Sequence, residues 1–273
     1  MGNLDDLIRL VPPPEKPVAL EEDWRSVEKE LGLALPSEFK ALATRYGAGS
    51  FDDISLLSPG ELVVSARDLL GTAGAFRDDW PDMVPFALWP EPGGLLEWAR
   101  TGNGDSLYWL TEGEPEDWTT VVWNPRAGSG RHALDAVAFL YAYFEGRLDV
   151  PLLGPPPSEP WFDSHRDRSH VYVKLSEGEL PYAQRLKILR DTLSPTADRG
   201  SHDEGEGNRQ YHFKAIDRDW LLTYEDCYGH QIRVAFPPED DDEARAVILG
   251  AAEAMGCQVL RAITIEGKPA WLG

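Results

Sequence analysis

The start of the fold is decided by residues 31–36, LGLALP, which lie between two helical patterns. On both sides of this stretch, apolar residues recur every three or four positions, which is the period of one helix face. These residues are Trp24, Val27 and Leu31 before the stretch and Phe39, Leu42, Ala43 and Tyr46 after it. Glycine commonly ends a helix and proline commonly begins one, so Gly32 and Pro36 predict a tight corner between two helices.

The residues before Trp24 are expected to form a loose head, residues 47–50 a glycine-rich turn, and the pattern changes to strand-like runs from Leu62 onward. The runs are rich in Val, Leu, Trp and Tyr and are separated by turn-forming residues. They cover residues 62–64, 84–89, 95–99, 106–110 and 120–123. Residues 102–105, GNGD, predict a hairpin because these residue types tolerate positive φ. A helix over residues 133–144 closes the region.

The clearest candidate for a domain boundary lies at residues 151–160, PLLGPPPSEP, where five of ten positions are proline. Proline fixes φ and lacks an N–H, so this run predicts a semi-rigid extended spacer. We therefore expect a first domain over residues 1–150, a proline-rich linker over 151–160 and a second domain over 161–273.

The second domain alternates strand and helix patterns. Strands are predicted at 171–175, 210–216, 220–225, 231–236 and 259–265, with helices at 181–193 and 241–255. Residues 196–209, TADRGSHDEGEGNR, contain no large apolar side chain and are expected to form a mobile loop. The whole chain is thus predicted to be α+β, its second domain a small ferredoxin-like α/β sandwich with an additional strand.

The composition excludes several classes of protein. The chain has 273 residues, of which 47 are acidic and 26 basic, so its formal net charge is −21. Such a surface repels nucleic acid and anionic lipid, so neither is an expected direct partner. No apolar stretch reaches the roughly 18 residues of a membrane span, and the N-terminus lacks a signal-peptide pattern. Two cysteines do not make a disulfide framework, and a cytoplasmic location is expected.

Motifs for catalysis or cofactor binding are missing from the sequence. Residues 163–170, DSHRDRSH, include ligand-like side chains, but two internal arginines oppose a divalent cation. No HExxH, CxxC, GxSxG or phosphate-binding loop occurs, and the GxG fragments read as turns. We therefore expect no catalytic residue, no metal site and no cofactor.

Two segments combine acids with tryptophan: residues 76–82, FRDDWPD, and residues 112–118, EGEPEDW. Tryptophan supplies contact area and acids supply a field, so the pattern is typical of a surface that binds a basic partner. The alternative, that the acids are solvated loops and the tryptophans fold onto the core, stays open for each residue. The predicted partner-binding residues are Asp78, Asp79, Trp80, Asp82, Glu114, Glu116, Asp117 and Trp118.

The order of motifs in residues 18–146 resembles the SUKH superfamily, which includes the Smi/Knr-type cell-wall regulators and many bacterial immunity proteins. The resemblance rests on Trp24 in an opening helix, the LG-x-x-LP link, and the GD of residues 104–105 before a Leu-Tyr strand. Phe139-Leu140 in a late helix matches the closing helix of the family. The resemblance implies a sheet-and-helix domain that acts by binding.

Three functions follow as hypotheses. The leading one is a cytoplasmic immunity protein that neutralises a basic bacterial toxin, possibly a nuclease, by acidic surface complementarity. The second is a regulatory module of the cell-wall-regulator type that binds another protein without any link to toxins. The third is an enzyme that uses paired carboxylates in a cleft, which is the weakest because no nucleophile is marked.

Overall fold

A computed structural model gives the fold of residues 3–20, 23–77 and 79–272. Helices and strands are mixed along these residues, so the α+β prediction is confirmed. The chain forms two units, Met1–His165 and Arg166–Gly273.

The first unit packs helices on an antiparallel sheet. Its helices are α1 (Leu4–Leu10), α2 (Trp24–Leu31), α3 (Ser37–Tyr46), α4 (Pro59–Arg77) and α5 (Ala136–Phe144). Its strands are β1 (Gly49–Phe51), β2 (Ile54–Leu56), β3 (Leu95–Arg100), β4 (Ser106–Leu110), β5 (Thr119–Asn124), β6 (Gly128–His132) and β7 (Phe162–Ser164). They form one sheet in the order β6-β5-β4-β3-β2-β1-β7.

Alternate residues of this sheet enter two different hydrophobic clusters, as the two-residue period of a strand requires. On one face, Trp98 and Trp109 pack against the helices, and the ring centroid of Phe39 in α3 lies 4.7 Å from that of Trp109. On the other face, Tyr108 and Trp123 pack with residues 84–88. Helix α4 contributes residues to both clusters.

The corner at residues 31–36 forms as the sequence predicts. Gly32 ends α2 in the left-handed region, with φ of 71°, where a residue with a Cβ is disfavoured. The side chain of Glu28 then accepts a hydrogen bond from the N–H of Leu35 at 2.9 Å, which fixes the path of the corner. Pro36 precedes the first turn of α3.

Several local predictions in this unit are wrong. Residues 62–64 lie inside α4 rather than in a strand, because Leu62 and Val63 enter the core as parts of a longer helical pattern. In residues 84–89, Val84, Phe86 and Leu88 are buried, but the segment forms only an isolated bridge from Leu88 to Leu95. The expected loose head contains α1, whose first turn is closed by a capping box between Asn3 and Asp6.

The boundary between the units falls later than the proline-rich run. Strand β7 pairs with β1, and the ring centroid of Phe162 lies 4.9 Å from those of both Tyr46 and Phe51. Residues 161–165, which the sequence assigned to the second domain, therefore belong to the first unit. The run 151–160 is an internal connection of that unit.

The second unit packs two helices on a second antiparallel sheet. Its elements are β8 (Ser169–Leu175), α6 (Tyr182–Thr192), β9 (Thr196–Asp203), β10 (Arg209–Ala215), β11 (Trp220–Glu225), β12 (Gln231–Phe236), α7 (Asp241–Ala254) and β13 (Val259–Thr264). The strand order is β13-β8-β12-β11-β10-β9.

The prediction of a mobile loop over residues 196–209 is wrong. Residues 196–203 form β9, an edge strand that pairs along the whole of β10. An edge strand that is mostly exposed needs no large apolar residue, because its neighbour supplies the backbone hydrogen bonds.

Candidate functional site

The end of α4 carries an exposed aromatic pair. Phe76 and Trp80 are each about half exposed, at 53% and 51%, and their ring centroids lie 5.5 Å apart. The N–H of Trp80 donates to the carbonyl of Phe76 at 2.8 Å, which fixes the turn after the helix. Met83, on the next short 3₁₀ turn, is also exposed at 44%. We call Phe76, Trp80 and Met83, with the acids around them, the α4 patch.

Two acids of the α4 patch lie on either side of Trp80 in the sequence. Asp79 and Asp82 are both exposed, whereas the predicted contact Asp78 lies outside the described residues. The patch is anchored by Arg77, which donates two hydrogen bonds of 2.7 Å to the carboxylate of Glu91. These bonds from Arg77 hold the pKa of Glu91 below its usual value.

The second acidic segment, residues 112–118, differs from the α4 patch in the burial of its tryptophan. Trp118 is buried, with a ring centroid 5.9 Å from that of Trp109, so the prediction that it is a surface anchor is wrong. It enters the core because it directly precedes β5, whose alternate residues line that core. Glu114, Glu116 and Asp117 remain exposed.

Glu116 has a structural contact of its own. Its carboxylate accepts a hydrogen bond of 3.0 Å from the N–H of Ser37 in the first turn of α3. Burial, together with the nearby carboxylates of Asp135 and Glu116, raises the pKa of Glu38 in the same turn. The two acidic segments thus lie beside different helices. Residues 76–82 include the end of α4, and residues 112–118 contact the first turn of α3.

A cleft of about 600 Å³ opens beside the first half of α4. One wall is the exposed face of that helix, with Glu61, Val64 and Asp68 at positions i, i+3 and i+7. The mouth is formed by residues 18–20, which are held by a 3.1 Å hydrogen bond from the N–H of Ala48 to the carbonyl of Val18. Arg100 and His165 complete the lining from the sheet side.

The end of the first sheet beside the cleft carries a row of polar residues. In the register of the strands, Asp163 faces Ser50, Ser50 faces Ser55, Ser55 faces Arg100, and Arg100 faces Ser106. Cross-strand partners point to the same side of a sheet, so this row shares one face. The opposite face of the same strands is apolar.

Two hydrogen-bond networks organise these polar groups. The carboxylate of Glu97, which is buried, accepts hydrogen bonds from Ser65 and from Arg100, the latter at 3.0 Å. The hydroxyl of Ser50 lies 2.6 Å from Nε2 of His165 and 2.8 Å from the hydroxyl of Ser55. The buried carboxylate of Glu97 and the buried hydroxyl of Ser50 thereby both have hydrogen-bond partners, as a stable interior requires.

The contact between Ser50 and His165 was not predicted from the sequence. The two residues are 115 positions apart, and no motif joins them. A serine beside a histidine is the arrangement of an activated nucleophile. Ser50, however, is only 8% exposed, and its hydroxyl is also bonded to Ser55, so the contact links the strands beneath the cleft.

The second unit contains a buried polar cluster around His230. Its Nε2 lies 2.7 Å from the hydroxyl of Tyr224, and its Nδ1 lies 2.7 Å from the carbonyl of Ser176. The carbonyl can only accept, so Nδ1 is the protonated nitrogen and Nε2 accepts from Tyr224. Burial lowers the pKa of His230, and the nearby Arg185 lowers it further.

The described part of the chain has neither a cluster of metal-ligating side chains nor a membrane-spanning helix. No group of three or more His, Cys, Asp or Glu side chains there is placed to hold a metal ion. Among the same residues, no helix has the length and hydropathy needed to cross a bilayer.

Comparison with known families identifies the first unit. A family model described as SMI1-KNR4 cell-wall, named SUKH_6, matches residues 21–134. These residues run from α2 to the connection before α5 and include the corner, α4, most of the cleft and both acidic segments. The first unit therefore contains a domain of the SUKH superfamily, as the sequence resemblance implied. No curated protein and no solved structure matches the chain.

Proposed function

We propose that this protein is a non-catalytic binding protein of the immunity type, which neutralises a basic bacterial toxin in the cytoplasm. The observation that carries the proposal is the α4 patch, where two half-exposed aromatic rings lie among exposed carboxylates. Aromatic side chains are frequent anchors at protein interfaces, and their exposure to water has no folding benefit here. The SUKH domain supports a binding role, since the superfamily includes immunity proteins.

The mechanism of neutralisation is steric and electrostatic. A net charge of −21 attracts a basic partner from a distance and raises its association rate, while Phe76 and Trp80 slow its dissociation. The acids Glu114, Glu116 and Asp117 contribute to the same field from their own position beside α3. A toxin domain that acts on nucleic acid is itself basic, so it is the partner class that this surface favours.

The test is the association kinetics with a toxin recovered by affinity capture, measured by stopped flow at low and high salt. We expect Asp79→Asn combined with Asp82→Asn to slow association several-fold at low salt and little at high salt, because salt screens exposed charges. Trp80→Ala should instead speed dissociation. The matched control is Asp242→Asn with Glu243→Gln in the first turn of α7, which removes the same charge elsewhere. Equal association rates for both double variants would contradict the proposal.

A second candidate is a regulatory module that binds a cytosolic protein without any link to toxins. The observation that favours it is the description of the matching family, which names the cell wall. Affinity capture from native lysate, followed by mass spectrometry, separates the two functions. Recovery of a cell-wall regulator in place of a toxin would favour the second candidate.

The contact between Ser50 and His165 provides a test of the non-catalytic part of the proposal. We expect a fluorophosphonate probe to leave Ser50 unmodified, because its hydroxyl is buried and bonded on two sides. Intact-protein mass spectrometry measures this directly. An adduct that disappears in the Ser50→Ala variant would make the first unit a hydrolase candidate.

For the second unit we propose a ferredoxin-like arrangement enlarged by a hairpin. The strands β13, β8, β12 and β11, taken in that spatial order with α6 and α7 as crossovers, follow the βαββαβ pattern, and β10 and β9 extend it at one edge. Affinity capture with the whole chain, compared with capture by variants of each unit, would show whether the second unit takes part in partner binding.

A further inference from the structure

We propose that the cleft beside α4 binds a cationic side chain of the arginine or lysine type, meaning a guanidinium or ammonium group on an aliphatic stem. This site is separate from the α4 patch and needs no part of it. Only the source of the cation, a protein partner or a free small molecule, rests on the proposed function.

The helix wall of the cleft is negatively charged. Glu61 and Asp68 are exposed on the face of α4 that lines the cleft. Within the described chain, the Asp68 carboxylate has neither a hydrogen-bond donor nor an ion-pair partner. Among the residues that the structure describes, the Glu61 carboxylate accepts only the backbone N–H of Ser58, at 2.8 Å, in the first turn of the helix. Both carboxylates therefore keep acceptor positions that point to a positively charged donor.

The cation on the opposite wall, Arg100, is already neutralised. Arg100 lines the cleft, but its guanidinium donates to the buried carboxylate of Glu97 at 3.0 Å. The Glu97 carboxylate also accepts a hydrogen bond from Ser65. If Glu97 moved with Arg100 toward the helix wall, this buried hydrogen bond would be lost. His165 is engaged with Ser50 through Nε2. The sheet wall thus leaves the charges of Glu61 and Asp68 uncompensated.

Part of the cleft lining is apolar. Val18, Leu20, Ala48 and Val64 surround the mouth, and Val64 is 56% exposed on the helix. A small inorganic cation would gain nothing from these side chains. A lysine or arginine buries its methylene groups against apolar surface while its head reaches a charged partner, and this arrangement matches the lining.

The mouth has a fixed shape because Gly47 allows close approach of two backbone segments. Gly47 has φ of 74°, and a Cβ built there would lie 2.3 Å from the carbonyl oxygen of Val18. Val18 is therefore held against the residues that precede β1. A preformed cleft of about 600 Å³ accommodates one long side chain with its flanking backbone.

The experiment is an NMR titration of the ¹⁵N-labelled full chain with Nα-acetyl-L-arginine methylamide. We expect amide shifts confined to residues 18–20, 48 and 60–68, and weaker shifts at the same positions with the lysine analogue. The citrulline analogue has nearly the same shape without the charge and should leave these amides unshifted. Shifts scattered over the surface, or equal shifts with citrulline, would overturn the proposal.

Variants then test the carboxylates. Asp68→Asn should weaken binding of the arginine probe about tenfold, because a charge-assisted hydrogen bond is replaced by a neutral one. Asp68 is exposed, so the variant should fold, and Asp242→Asn in the first turn of α7 is the control that changes the same charge outside both the cleft and the α4 patch. An unchanged dissociation constant for Asp68→Asn would count against the site.

Repeating the titration in the complex with a captured partner assigns the source of the cation. Exclusion of the probe shows that a side chain of the partner fills the cleft, and retained binding assigns the site to a free small molecule. Failure to capture any toxin would contradict the proposed function but would leave the titration of the free protein unaffected.

Discussion

At the scale of single residues, two tryptophans from the acidic segments have opposite roles. Trp118 is 4% exposed in the first core, whereas Trp80 is 51% exposed beside Phe76. We predict that Trp118→Ala lowers the free energy of unfolding by about 3–5 kcal/mol, because it leaves a large cavity. Trp80→Ala should change it by about 0.5 kcal/mol or less. Urea unfolding of the two variants checks this, and a reversed order would contradict the assigned roles.

His230 predicts a pH dependence of stability. Its pKa is lowered from 6.5 in the folded chain by burial, so the unfolded chain binds a proton more readily. Stability is therefore highest above about pH 6.5 and falls as the pH drops below that value, because unfolding then takes up the proton. Protonation also removes the acceptor that Nε2 offers to Tyr224.

The measurement is urea unfolding at pH 7.5 and pH 5.5, compared with the variant His230→Gln. Burial also lowers the pKa values of His132 and His212, so the variant should lose part of the pH dependence rather than all of it. A variant with the full pH dependence of the parent chain would show that His230 titrates normally.

At the scale of elements, α3 depends on a cap from a distant segment. Pro36 at its N-terminus provides no side-chain acceptor, and the carboxylate of Glu116 accepts from the N–H of Ser37 instead. We predict that Glu116→Ala costs about 0.5–2 kcal/mol of stability, the range of a lost helix cap. Its exposed neighbour gives the matched control, since Asp117→Ala should cost about 0.5 kcal/mol or less. Thermal unfolding of both variants distinguishes them, and equal losses would contradict the capping role.

Periodic patterns predicted the elements that have one buried face. The apolar stripes of α2 and α3 and the alternation of β10, β11 and β12 follow directly from burial against one core. Residues 62–64 were misread because three apolar residues in a row fit a strand as well as a buried helix turn. Strand β9 was missed because an edge strand is recognised by its partner and not by its own side chains.

The candidate sites were predictable only where they are local in sequence. The α4 patch is contiguous, so its acids and aromatic residues could be found by reading residues 76–82. The cleft joins residues 18–20, α4, Arg100 and His165, which are brought together by strand pairing. Neither the pairing of β7 with β1 nor the burial of Trp118 leaves a signal that a single sequence shows.

At the scale of the whole molecule, the position of β7 makes a prediction about fragments. A fragment of residues 1–165 keeps β7, whereas one of residues 1–160 loses Phe162 from between Tyr46 and Phe51. We predict that the shorter fragment unfolds at least several degrees lower, because a lost core phenylalanine costs about 3–5 kcal/mol. Circular dichroism melting of the two fragments compares them. Equal melting temperatures would place the boundary in the proline-rich run instead.

Helix α4 connects the cleft at its first half with the aromatic patch at its end, and it packs into two hydrophobic clusters along the way. If both surfaces bind ligands as proposed, a ligand that shifted α4 at one end would also change the affinity at the other end. Thermodynamic linkage makes this effect reciprocal: the factor by which the first ligand alters the second equals the factor in reverse. Because one helix carries both surfaces, occupancy of one would in that case be coupled to occupancy of the other.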